Sequence, residues 1–165
     1  MDDISVLTWR ELVAVTGSEE RARRLLAAGE YRRVLRGVYA ARPVPDGPLL
    51  RAAALKAALP AGVVLSGRAA LWAIGVDALQ LDGQLDVTTA RGKHLEPRQG
   101  MRPHSALLPD DELVELPSGL PAVSAPRAFV DVARREGLVE AVALGDMVLR
   151  SGAATLEQLE AAVDR

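Results

Sequence analysis

Arginine is the residue type with the clearest chemical potential in this chain. Seven arginines fall between positions 20 and 42 (Arg21, Arg23, Arg24, Arg32, Arg33, Arg36 and Arg42), against two acids, Glu20 and Glu30, so this window carries +5. The nineteen residues before it carry −3, and everything from Pro43 onward carries −4. A guanidinium is charged at any accessible pH, and its planar fork matches phosphate oxygens and the O6 and N7 edge of guanine. A basic patch on a chain of net charge −2 excludes indiscriminate coating of nucleic acid but allows docking in one orientation. The competing reading of the same window is a solvated, arginine-rich helix in a composition rich in Ala, Arg and Leu.

Other chemistries find little support. The absence of cysteine excludes a disulfide scaffold, a thiol nucleophile and cysteine-ligated zinc or iron–sulfur sites, and it fits a reducing cytoplasm. His94 and His104 are ten residues apart, without the short helical or turn spacing of a metal site, so each is read as a structural or surface histidine. Asp110, Asp111 and Glu112, near Glu115, have no phosphate cradle beside them to suit magnesium and are read as a solvated loop. There is no phosphate-binding or dinucleotide-binding glycine motif. Ser66-Gly67-Arg68 lacks the flanking glycines of a nucleophile elbow, which leaves Ser66 as a helix N-cap. The expectation is therefore no enzyme activity, no cofactor and no metal. Only five aromatic residues are present, which counts against a single-strand stacking platform. The uncharged stretch Ala57 to Gly67 is about half the ~20 residues a membrane helix needs. The Met-Asp-Asp start lacks the basic and apolar regions of a signal peptide, so the expected location is cytoplasmic.

The elements that would position the arginines follow from local signals. Thr8-Trp9-Arg10-Glu11 is a capping box, opening a short helix to about Val15. Thr16-Gly17-Ser18 is a tight break. Ser18 then caps a second helix that Glu19 and Glu20 suit at its positive end, and Gly29 ends it. Ala22, Leu25 and Leu26 form its buried stripe. Glu20 and Arg24 point the opposite way, flanked by Arg21 and Arg23. Tyr31 to Ala41 is rich in strand formers, with Arg36-Gly37 as a turn. Helix, turn, helix and basic hairpin in that order is the layout of a winged helix-turn-helix. Trp9, Leu12 and Leu25 are read as its core.

Three prolines between positions 42 and 48 mark a domain edge. The expected organisation is a winged helix-turn-helix over residues 1–42, a proline-rich linker over 43–48 and a second domain over 49–165. Helices are expected at 49–59, 66–74, 124–136, 138–150 and from a second capping box at Thr155. Short strands are expected at 63–65, 101–105, 112–116 and 120–123. Alternation of Leu85 and Val87 with Asp86 and Thr88 predicts a half-exposed strand.

This layout gives the arginines one coherent job. The second helix would enter the major groove, with Arg24, Arg21 and Arg23 donating to phosphates or guanine. Ser18 caps that helix at the interface. Glu20 either accepts from cytosine N4 or only favours the helix N-terminus, with capping preferred. Arg32, Arg33 and Arg36 would lie over the backbone or reach a minor groove.

Longer stretches also look familiar. The run from Glu30 to Ala40 resembles the wing of the AbiEi-type antitoxin family. The resemblance continues through Val64 to Gly75, Asp86 to Gly92, Met101 to His104 and, most strongly, Gly119 to Arg134. Gly67 and Trp72 depart from it, standing where histidines are common. Asp131 matches a helix aspartate of the family and, near Arg127, Arg134 and Arg135, is read as a salt-bridging residue. The resemblance implies an α+β protein, with an N-terminal winged helix-turn-helix joined to a mixed α/β antitoxin domain. It implies a transcriptional repressor or antitoxin-like regulator of a toxin–antitoxin or phage-defence operon. The implied partners are double-stranded DNA bearing operator repeats and a nucleotidyltransferase-like toxin, met directly or only through shared regulation. Longer relatives carry a further nuclease-like domain, and the expectation is that its activity is not carried by these 165 residues. The alternative is a protein-binding module that neutralises or recruits a partner protein.

Overall fold

Thr8 and Glu11 open the first helix as a reciprocal cap. The Glu11 amide donates to Thr8 Oγ1 at 3.4 Å, and the Thr8 amide donates to Glu11 Oε2 at 2.8 Å. These bonds to Thr8 hold the Glu11 carboxyl below the usual glutamate range. The structure is a computed structural model that describes residues 6–78, 84–90, 95, 100–116 and 118–164. His94, and Arg91 and Gly92 of the family-like stretch, lie outside the described residues. The described residues form an α+β fold with seven α-helices and two sheets, in two compact units, Met1–Pro60 and Ala61–Arg165.

The first unit runs β1 (Val6–Thr8), α1 (Trp9–Thr16), α2 (Glu19–Ala27), β2 (Tyr31–Leu35), β3 (Val38–Ala41) and α3 (Pro48–Ala58). Ser18 caps α2, its Oγ accepting from the Arg21 amide at 3.2 Å. The helix ends in a Schellman motif, with Gly29 and Glu30 amides donating to the Leu26 and Leu25 carbonyls, each at 3.0 Å. The strands pair antiparallel in the order β1-β3-β2. Leu35 faces Val38 across a two-residue turn, Arg36-Gly37, in which Gly37 takes φ 75° as the tight reversal requires. Leu12, Ala22, Val34, Val38, Ala40, Leu50 and Leu55 are buried and form this unit's core.

The expected linker at 43–48 is corrected. α3 packs on all three strands of the first sheet, so it belongs to the first unit and the division falls after Pro60. Residues 43–48 are tied down at two points. Arg32 donates to the Val44 carbonyl at 2.7 Å, and buried Arg51 grips both Asp46 oxygens, at 3.3 and 2.8 Å. The Arg51 hydrogen bond, against a partial opposing effect of burial, draws the Asp46 carboxyl below its usual range. The three prolines suit a stiff segment, and a stiff segment also serves as a braced corner.

The second unit runs β4 (Val64–Leu65), α4 (Gly67–Ala73), β5 (Leu85–Ala90), β6 (Met101–Ala106), β7 (Leu113–Glu115), β8 (Pro121–Val123), α5 (Ala125–Ala133), α6 (Leu138–Ser151) and α7 (Leu156–Val163). Its mixed sheet has the order β6-β5-β4-β8-β7. β5–β6 and β4–β8 pair in parallel, and β4–β5 and β7–β8 antiparallel. α4 packs on α5 and β5, and α5 packs on α6 and α7. Leu65, Leu71, Val87, Val132, Leu144 and Val148 are buried among them.

Three expectations here are corrected. β5 is buried on both faces, because it is an inner strand covered by α4 and its polar residues have internal partners. Ser66 occupies the N-cap position without a capping bond, since its Oγ instead accepts from Thr88 Oγ1 at 2.8 Å. Glu112 is no solvated loop residue; it sits in a 3₁₀ turn, largely covered, and pairs with Arg127.

Candidate nucleic-acid interface

The amphipathic pattern of α2 decides what its arginines can reach. Ala22 is fully buried and Leu25 and Leu26 are half-buried, so Glu20 and Arg24 project from the opposite side. Glu20, Arg21 and Arg24 are exposed and have no side-chain partner among the described residues. Arg36, at the hairpin tip, is likewise exposed and unpartnered. The tip itself is fixed, since the Trp9 amide donates to the Gly37 carbonyl at 3.0 Å.

Arg23 stacks on one of two aromatic rings in contact, and Arg33 lies across the strand pair from the other. The Arg23 guanidinium lies 5.8 Å from the Trp9 ring centre, and it also pairs with Glu19 at 2.7 Å. The Trp9 and Tyr39 rings are 5.8 Å apart and tilted by 56°. Tyr39 is the direct cross-strand partner of Arg33, so the two share one face of the sheet. The pair therefore links the flank of α2 to the hairpin face and leaves Arg33 exposed. Trp9 and Tyr39 had no signal in sequence spacing beyond strand and core propensity, because their contact is made only when β1 pairs with β3.

Not every predicted contact is available in the same way. Arg32 is turned onto its own chain at Val44, and Ala40, its cross-strand partner, is buried. Its guanidinium braces the corner after the hairpin. Arg42 belongs to the basic window but was absent from the predicted contacts; its Nη1 stands 3.0 Å from where a Cβ on Gly29 would sit, beside the end of α2. Ser18 uses its oxygen to accept from α2, which leaves its hydroxyl proton to donate outward.

A second polar cluster, in the second unit, joins residues that the sequence reading keeps apart: His104 as a structural or surface histidine, Asp86 on a half-exposed strand and Arg135 beside Asp131. Asp86 is buried on β5, and its Oδ1 lies 2.9 Å from His104 Nε2, 3.8 Å from Arg135 Nη1 and 3.9 Å from Arg102 Nη1. Arg135 Nη1 is also 2.5 Å from the same His104 nitrogen. Gly67 closes the back of this cluster with φ 50°. A Cβ there would stand 2.8 Å from Arg135 Nη2 and 2.9 Å from Asp86 Oδ2, so a side chain would displace the charged groups. Nearby, Arg68 grips both Glu136 oxygens at 3.2 and 2.6 Å, reaches Glu140 at 3.1 Å and donates to the Ala78 carbonyl at 3.1 Å. Its bond to Glu136 raises the Arg68 pKa and lowers that of Glu136, each against the cost of burial. Burial disfavours the Arg127 charge, but Asp131 and Glu112 outweigh it and raise its pKa. Among the described residues, no group of three or more His, Asp or Glu side chains is arranged to hold a metal ion, and no helix is long and apolar enough to cross a membrane.

No protein-family model matches the sequence, and no curated protein does. Among solved structures, the RV2827C protein from Mycobacterium tuberculosis is similar, at 22% identity and a TM-score of 0.44 over 96% of this chain. The chain spans 66% of that protein's crystallised length.

Proposed function

We propose that the first unit binds double-stranded DNA, with α2 in the major groove and the β2–β3 hairpin on the adjacent backbone, and that the protein is a transcriptional repressor or antitoxin-like regulator. The observation that carries this reading is the set Arg21, Arg24 and Arg36, exposed on α2 and the hairpin tip with no side-chain partner among the described residues. An unneutralised guanidinium has no ion pair to break when it meets a phosphate, and each such contact releases condensed counterions. Arg24 is the base-reading candidate, because it projects from the centre of the exposed face of α2. Arg33 and Ser18 would hold the backbone, and Glu20 keeps the helix N-terminus in balance. The AbiEi-like stretches and an operon shared with a nucleotidyltransferase-like toxin belong to the same proposal.

The test is fluorescence anisotropy with a duplex from upstream of the protein's own coding sequence, across a salt series. Binding is expected to weaken steeply with salt. Arg24→Ala should change sequence preference, while Arg33→Ala should weaken all duplexes alike and reduce the salt slope by about 1. No retardation or anisotropy change at low salt defeats the proposal.

One observation favours a second reading, a protein-binding module. Leu138, Val139, Val142, Leu156 and Val163 are exposed on α6 and α7, beside a groove of about 580 Å³ whose lining includes the carboxylates Asp146, Glu160 and Asp164. Exposed apolar area of this kind marks association surfaces, and its acidic edge suits a basic partner. A complex with the neighbouring gene product that survives high salt without DNA would favour this reading over the first.

A further inference from the structure

The cluster around Asp86 brings three basic side chains to one carboxylate. His104, Arg135 and Arg102 converge on one oxygen of Asp86. The other carboxylates around the cluster are engaged: both Glu136 oxygens by Arg68, Asp131 by Arg127 at 2.9 Å, and Glu140 by Arg68. Arg134, next to Arg135, is exposed and has no partner among the described residues.

The hydrogen bonding at His104 is also internally opposed. Its Nε2 faces a carboxylate oxygen at 2.9 Å and a guanidinium nitrogen at 2.5 Å. One ring nitrogen either donates or accepts. If it donates to Asp86, it meets the N–H of Arg135 donor to donor. If it accepts from Arg135, it meets Asp86 acceptor to acceptor. An anion that drew the Arg135 guanidinium away from the ring would remove the conflict and leave the Asp86–His104 bond intact.

Space for such an anion exists beside these groups. A cleft of about 180 Å³ is lined by Thr88, His104, Ala106, Asp131, Arg134 and Arg135. That volume is below the ~300 Å³ usual for a whole small-molecule pocket but ample for one anionic group whose remainder lies outside. Two guanidiniums on consecutive residues suit a tetrahedral anion with three terminal oxygens better than a planar carboxylate with two.

We propose that this cleft binds the phosphate group of a phosphate monoester, held by Arg134 and Arg135, with His104 kept in place behind it by Asp86. The site is separate from α2 and does not depend on the DNA-binding proposal. Inorganic phosphate and a nucleoside 5′-monophosphate are the two probes, titrated into the full chain at constant ionic strength and read by calorimetry and by the His104 ring resonances. Saturable binding of both is expected, with the His104 signals moving. Losing one charge-assisted contact in Arg134→Ala should weaken binding by about tenfold. Arg135→Lys, which keeps the charge and loses the fork, should also weaken it. Arg134 is exposed and its side chain has no hydrogen-bond or ion-pair partner among the described residues, so its replacement tests the site without threatening the fold. Tighter binding of the nucleotide than of phosphate identifies a nucleotide ligand, and equal binding identifies the phosphate group alone as what is recognised. Absence of saturation overturns the proposal, as does binding that Arg134→Ala and Arg135→Lys both leave unchanged.

Discussion

The fold treats two groups of arginines in opposite ways. In the first unit, Arg21, Arg24 and Arg36 remain exposed, with no side-chain partner among the described residues. In the second, Arg68 and Arg127 are mostly covered and each grips two acidic residues. A guanidinium whose hydration has already been exchanged for carboxylates holds elements together, whereas one still in water is available to a new anion. Charge counted along a sequence does not separate these cases. Burial and the identity of the nearest carboxylate do.

The comparison breaks first if the exposed arginines are also structural. Replacing Arg21 and Arg24 together with Ala is expected to lower affinity for the upstream duplex by about 100-fold at low salt, while moving folding stability by less than about 0.5 kcal/mol. Equal loss of binding and of stability would make α2 a structural helix. The reverse holds for Arg68→Ala. It removes bonds to Glu136, Glu140 and the Ala78 carbonyl, and partial exposure of the pair tempers the loss. An unfolding free energy lower by about 2 kcal/mol in urea is expected, with DNA affinity unchanged.

Much of the first unit was legible because its signals are local. The Thr8 capping box, the Ser18 cap, the Gly29 stop and the Arg36-Gly37 turn each depend on residues within a few positions. The Thr155 capping box was legible on the same grounds, with the Gln158 amide donating to Thr155 Oγ1 at 3.2 Å and the Thr155 amide donating to Gln158 Oε1 at 2.9 Å. What stayed hidden was made by distant pairing. The Trp9–Tyr39 bridge needs β1 against β3, and the Asp86–His104–Arg135 cluster needs β5, β6 and the end of α5 to meet. Alternation in β5 was read as half-exposure because nothing local says that Asp86 and Thr88 will find internal partners. The prolines before α3 were read as a linker because sequence shows stiffness but not the Arg51 and Arg32 bonds that anchor it.

Arg32 sharpens the contrast, because it sits within the basic window and yet behaves like an arginine of the second unit. Its bond to the Val44 carbonyl is worth about 1 kcal/mol of stability by the ordinary scale of such bonds. Arg32→Ala should therefore lower the urea midpoint and affect DNA affinity far less than Arg33→Ala, its neighbour on the exposed side. A larger effect on binding than on stability would return Arg32 to the interface.

The smallest effect tests the same contrast through pH. Arg68 holds the Glu136 carboxyl below its ordinary value of 4.5, with burial opposing. The unfolded chain thus takes up this proton at a higher pH than the folded one. The resulting stability is complete above about pH 4.5 and drains away as pH falls through the folded value. Because the pair is partly exposed, the amount is about 1 kcal/mol or less. Glu136→Gln has no such proton to gain, so between pH 6 and 3 its urea midpoint should fall less than that of the parent chain. Parallel curves would mean that Arg68 contributes nothing through this carboxylate. Asp46, lowered by Arg51, acts in the same direction within the first unit, so acid should weaken both. The exposed arginines add nothing to that slope, since a guanidinium does not titrate in this range. Acid loosens the contacts in which a carboxylate already has a partner, the Thr8–Glu11 cap among them.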